Sequence, residues 1–93
     1  MKANIKRALI NAAKSLNESE SRLMSYTRGI SEAGYRTREE QDTVREIQNE
    51  KQAAWRQWDA LAQAAIDAGA RNSTIRDIAE QYIPELPGMK NRY

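Results

Sequence analysis

Apolar residues recur along the first third of the chain at alternating steps of four and three: Ile5, Leu9, Ala12, Leu16, Ser19, Leu23, Tyr26 and Ile30. Seven of these eight positions are apolar or aromatic, and Ser19 is the single break. Such spacing keeps one seam on one side of an α-helix, the pattern of helices that pack lengthwise on a partner. A second run follows the same rule through Val44, Ile47, Lys51, Ala54, Trp58, Leu61, Ala65 and Ala68, with Lys51 as its polar intruder. Between the runs, Gly29 and Gly34 lower helix propensity, and Gly34 is placed to cap the first helix. Thr37-Arg38-Glu39-Glu40 then fits a capping box that opens the second helix. Glu39, Glu40 and Asp42 complement the positive end of that helix's dipole.

The pattern predicts helices over 3–33 and 38–68 and a short third helix over 73–83. Asn72 or Ser73 would cap the third, and Ile75, Ile78, Ala79 and Tyr82 would form its buried face. Pro84 would end it, leaving 84–93, with Pro87 and Gly88, as an extended, mobile tail. A connection of only a few residues forces the two long helices antiparallel, each about 45 Å long at 1.5 Å per residue. Pairing across the hairpin would set Ile30 near Val44, Tyr26 near Ile47, Leu16 near Trp58 and Leu9 near Ala65. The fold class is therefore all-α: one domain over 1–83, a long helical hairpin plus a third helix.

Two helices alone bury little. Ile10, Met24, Trp55 and Ile66, lying beside the seam, are thus the candidate dimer or partner contacts. The third helix is expected to cover some of them, and a second copy making a homodimeric four-helix bundle the rest. Trp55 and Trp58, at helical spacing beside the seam, read as core before they read as an exposed binding spot.

With 93 residues the chain suits one small domain. Its charged fraction is 30% with a net charge of only +2, too balanced and too periodic for a disordered chain. Neither Cys nor His occurs, which removes disulfides, thiolate chemistry and the usual general base and metal ligand. No nucleophile, base or metal constellation can be assembled, so an enzyme, a cofactor and a small-molecule substrate are not expected. The apolar patch after Lys2 is too short for a signal peptide or a membrane span, and the expected location is a bacterial cytoplasm, or a host cytoplasm for a phage product.

Residues 61–80, Leu-Ala-Gln-Ala-Ala-Ile-Asp-Ala-Gly-Ala-Arg-Asn-Ser-Thr-Ile-Arg-Asp-Ile-Ala-Glu, resemble the helix-turn-helix motif of DNA-binding proteins. Ala65 holds the small position where the two helices of the motif meet, Gly69 the turn, and Ile75 and Ile78 the inward positions of the second helix. The resemblance implies that Arg71, Asn72, Ser73 and Arg76 lie at the start and outer face of a recognition helix, with Arg76 on guanine or phosphate. Thr74–Glu80 also resembles the first helix of the motif, a register in which the recognition helix would have to follow. A Gly followed by a short amphipathic helix can equally serve to cap a helical bundle.

Charge placement adds to this. Residues 1–14 carry Lys2, Lys6, Arg7 and Lys14 with no acid, whereas 37–50 carry five acids against Arg38 and Arg45. Antiparallel pairing sets the basic N-terminus beside the start of the third helix, so Lys2, Lys6 and Arg7 join the DNA-contact candidates. The sequence expectation is a small DNA-binding protein, of the phage or plasmid regulator kind, with duplex DNA as partner. The alternatives are a helical-hairpin module docking on a host protein, such as a phage-encoded inhibitor or adaptor, and a structural coiled-coil subunit.

Overall fold

The computed structural model describes residues 1–31 and 37–93, with the Ser31 side chain outside that set. Gly34, expected as a cap, and residues 32 and 33 of the first expected helix lie outside the described residues. Every element described is helical: α1 (Ala3–Ser31), α2 (Arg38–Asp67), α3 (Asn72–Tyr82) and a 3-10 helix (Pro87–Arg92). The molecule measures 48 × 18 × 17 Å, its length set by the two long helices.

Helix α2 starts where its chemistry says it should. Thr37 Oγ1 accepts from the Glu40 N–H and the Glu40 carboxylate accepts from the Thr37 N–H, so two otherwise orphaned donors are satisfied. Its other end is closed by a Schellman arrangement: Ala70 N–H donates to Ala65 O and Gly69 N–H to Ile66 O, both at 2.9 Å. Gly69 provides the positive φ of 99° which that closure needs. Ala68, predicted as the last seam residue, is therefore the C-cap and exposed, since the chain turns away there. Helix α3 begins one residue earlier than expected. Its N-cap is Arg71, and neither Asn72 nor Ser73 caps it; no side chain bonds to the freed N–H groups, because both residues already lie inside the first helical turn. It ends at Tyr82 with Ile83 as C-cap, one residue before Pro84.

The core follows the predicted seam in the half of the hairpin where α1 begins, which we call the base. Leu9, Ala12, Ala13 and Leu16 from α1 pack with Ala54, Trp58, Ala62 and Ala65 from α2 and with Ile75, Ile78 and Ala79 from α3. Toward the tip only two helices are present. Val44 and Ile47 are buried there, but Leu23, Tyr26 and Ile30 are half-buried and Met24 is 39% exposed. The seam's polar break is handled by an ion pair. Lys51 meets Glu20, while Ser19 turns its hydroxyl to Ser15 O at 2.9 Å. Glu20 Oε2 is shielded from solvent without a directed hydrogen bond, so charge attraction from Lys51 is what compensates it. The nearby Arg22–Glu50 pair at 2.6 Å is exposed and adds little.

The segment 84–93 is not an extended tail. It folds back as a strap whose 3-10 helix buries Met89 completely within the core that also holds Trp58 and Ile83. Glu85 N–H donates to Asn17 Oδ1 of α1 at 2.9 Å, and Arg92 bonds Asp59 of α2 at the same distance. Trp58, with 0% exposure, donates its indole N–H to the Tyr93 hydroxyl at 2.9 Å, and the two rings meet edge to face. A buried Trp whose N–H lacked an acceptor would be costly, and the strap supplies that acceptor from 35 residues away.

Candidate nucleic-acid interface

Topology gathers three chain segments at the base: the start of α1, the end of α2 and the start of α3. Lys2, Lys6, Arg7 and Arg71 lie there, all exposed. Among the described residues, none of these four side chains makes an ion pair or hydrogen bond. Two of the three helix ends at the base, the N-termini of α1 and α3, add to the same sign of potential, while the C-terminus of α2, with exposed Asp67 and no basic residue in its last turn, opposes it. Neither α1 nor α3 has an acidic residue in its first turn, and α3 has no side-chain cap. The contrast is α2, which begins at the tip with a complete capping box and with Glu39 and Glu40 in its first turn. The base thus gathers four unpartnered cations against the exposed Asp67, while the first turn of α2 at the tip is acidic. Like charges set beside positive helix ends cost stability in the free protein, a cost that an anionic partner relieves.

Three other cations, Lys14, Arg92 and Arg76, are engaged, whereas among the described residues the exposed Arg38, Arg45, Arg56 and Lys90 are as unpartnered as the four at the base. Lys14 sits 5.6 Å from the centre of the Tyr82 ring, tying α1 to α3. Arg92 lies 5.5 Å from the centre of the Trp55 ring while bonding Asp59. Arg76, expected as the base-reading residue, is not free for that role. Its Nε and Nη2 both donate to the main-chain oxygen of Tyr93, at 3.0 and 2.5 Å, because the strap runs alongside α3. Asn72 and Ser73 are exposed at the start of α3, as the motif requires. The outward side of α3 also carries Asp77 and Glu80, both exposed, which phosphate repels.

Strap and third helix also change the candidate partner contacts. Ile10, Trp55 and Ile66 pack against the core cluster and are only half exposed, so Met24 alone of the four remains open. Ile66 and Asn72 line an open cleft together with Arg92 and Tyr93, and a second cleft toward the tip is lined by Leu23, Gln48, Lys51, Gln52 and Trp55. Neither cleft brings a nucleophile beside a base. Among the described residues no group of three or more carboxylates is placed to hold a metal ion, and no helix is long and apolar enough to cross a membrane.

The strap's anchors were absent from the sequence expectation. One signal for them existed: the indole N–H of a seam tryptophan demands an acceptor, though nothing nearby in sequence names it. Burial pushes the Tyr93 phenol above its ordinary value of 10.0, with the Trp58 hydrogen bond and the Arg92 charge pulling it back and Asp59 adding to the rise. No protein-family model, no curated protein and no solved structure matches this chain.

Proposed function

We propose that this chain is a small, non-enzymatic nucleic-acid-binding protein that meets duplex DNA with the base of its hairpin. The observation that carries this reading is the set of four exposed, unpartnered cations, Lys2, Lys6, Arg7 and Arg71, collected where α1 and α3 begin. Phosphates would take these side chains and the free N–H groups of the α3 first turn. Because Arg76 is occupied and Asp77 and Glu80 face outward, phosphate contact dominates and sequence preference is modest. The Gly69 turn and the buried Ala65, Ile75 and Ile78 keep the helix-turn-helix resemblance in play as the scaffold for this end.

The test is affinity for a duplex measured across a salt series. Lys6→Ala, Arg7→Ala and Arg71→Ala should each weaken binding and flatten the log–log salt slope by about 0.9 per lost phosphate contact. Arg45→Ala, on the exposed surface near the acidic tip, should leave both unchanged. Equal effects from all four variants, or no binding at low salt, would sink the reading.

A homodimer belongs to the same proposal. The tip half is only two helices thick and leaves Met24 open, so a second copy would close that half into a four-helix bundle. Sedimentation of the wild type and of Met24→Lys tests this: the variant should be the weaker dimer, and a monomeric wild type at high concentration contradicts it. The module docking on another protein remains the rival use of the same bare half.

A further inference from the structure

We infer that the C-terminal strap is an intramolecular mask for Arg76, and that its release hands this guanidinium to a phosphate of bound DNA. The inference rests on the nucleic-acid reading above and adds regulation to the same end of the molecule.

The geometry is specific. Arg76 follows the fully buried Ile75 on α3, so its backbone is fixed while its side chain lies at the surface. Two of its N–H groups converge on one oxygen, the main-chain oxygen of Tyr93, at 3.0 and 2.5 Å. The same pair of guanidinium donors is the fork that arginine offers to two oxygens of a phosphate. The same donors cannot serve both acceptors, so strap docking and phosphate binding by Arg76 exclude one another.

The strap is built to be displaced. Most of its polar fastenings lie at or near the surface: the side chains of the Arg92–Asp59 pair are 44% and 38% exposed, and the Asn17–Glu85 and Arg76–Tyr93 bonds are also exposed, while the bond from the buried Trp58 indole to the Tyr93 hydroxyl is the interior one that release must give up. Exposed ion pairs hold weakly and are screened by salt. Met89 is its one fully buried side chain, while Leu86 and Tyr93 are half-buried. Arg92 and Lys90 lie on the strap itself, so an approaching polyanion attracts the strap as well as Arg76 and weakens the hold of Asp59 on Arg92. Competition for one guanidinium makes the coupling reciprocal: loosening the strap tightens DNA binding, and DNA loosens the strap.

The experiment uses the full chain and two readouts. Amide hydrogen exchange over residues 85–93, with and without a saturating duplex, reads strap release directly in the wild type. Fluorescence anisotropy across a salt series reads affinity for wild type, Asp59→Asn, the Arg92→Ala/Tyr93→Ala pair, and each of these combined with Arg76→Ala. Circular dichroism confirms that each variant keeps its helices. Loosening the strap should steepen the log–log salt slope by about 0.9, so the gain over wild type shrinks three- to four-fold between about 50 and 200 mM salt. Adding Arg76→Ala should abolish the gain, which a general effect of removing the Asp59 charge would survive. DNA should accelerate exchange over 85–93 in the wild type. Unchanged protection under saturating DNA, or a freed strap with wild-type slope and affinity, overturns the mask and leaves the DNA reading standing. Absence of binding by every form overturns both.

Discussion

Replacing Met89 by Ala distinguishes a docked strap from a loose tail more sharply than any other single change. Met89 is 2% exposed and packs into the cluster that contains Trp58 and Ile83. Losing its outer carbon and sulfur atoms removes roughly 2 kcal/mol of transfer free energy, and large-to-small core changes of this kind cost about 2–5 kcal/mol once a cavity is left. The lower end applies here. A strap fastened mostly by surface polar bonds peels away before it tolerates a cavity, so the loss cannot exceed its own docking free energy. We expect about 2–3 kcal/mol, and at roughly 4–8 °C per kcal/mol for a domain of this size the melting temperature falls by about 8–24 °C. Urea unfolding followed by helical circular dichroism and by tryptophan fluorescence is the assay. Fluorescence should change before helix content does, because Trp58 loses its cover first. A loss below about 0.5 kcal/mol, the range of ordinary surface substitutions, would refute the reasoning and restore the mobile tail.

Three further outcomes follow from the packing. Lys51→Ala leaves the shielded Glu20 carboxylate unpaired and should destabilise by about 1–3 kcal/mol, whereas the Glu20→Met/Lys51→Met pair should recover most of that loss in urea unfolding. Gly69→Ala meets no atom within 4 Å, so its cost is backbone strain alone at φ +99°, about 1–2 kcal/mol by the same measurement. Tyr93 has a folded pKa above its ordinary 10.0, so the unfolded chain loses the phenolic proton first. Its contribution is therefore fully present below about pH 10 and declines as pH rises through the folded value. Thermal melts from pH 8 to 11 should show this decline, and Tyr93→Phe should lack it.

Periodicity made the hairpin legible. Leu9, Ala12, Leu16, Val44, Ile47, Ala54, Trp58 and Ala65 were seam positions by spacing alone, and all eight are buried. The capping box at Thr37 and the Gly69 turn were also readable, because each is a local rule with a fixed residue offset. Leu23, Tyr26 and Ile30 show where spacing stops being informative. Heptad position says which way a side chain faces, not whether a third layer covers it, and at the tip none of α3 or the strap reaches.

The strap was illegible for a different reason. Its contacts join residues 17, 33, 35 and 68 positions apart, through an indole N–H, a carboxylate, a main-chain oxygen and an amide side chain. None of these leaves a period in the sequence, and Pro84, Pro87 and Gly88 read as signs of an extended chain. Missing the strap also made Arg76 look free. Lys2, Lys6 and Arg7 were candidates by charge placement and Arg71 by the helix-turn-helix resemblance, and antiparallel pairing alone brings all four to one end.

The central functional claim is that this base end binds phosphate. Its most direct test is the equilibrium affinity of the wild-type chain for a duplex of about 20 base pairs as a function of salt, a length that exceeds the 48 Å rod at 3.4 Å per pair. Four free cations predict a log–log slope near −3.6 while the strap stays docked, steepening toward about −4.5 as bound DNA frees Arg76, with Lys6→Ala, Arg7→Ala and Arg71→Ala each reducing its magnitude by about 0.9. A slope near zero, or binding indifferent to all three substitutions, would contradict the account.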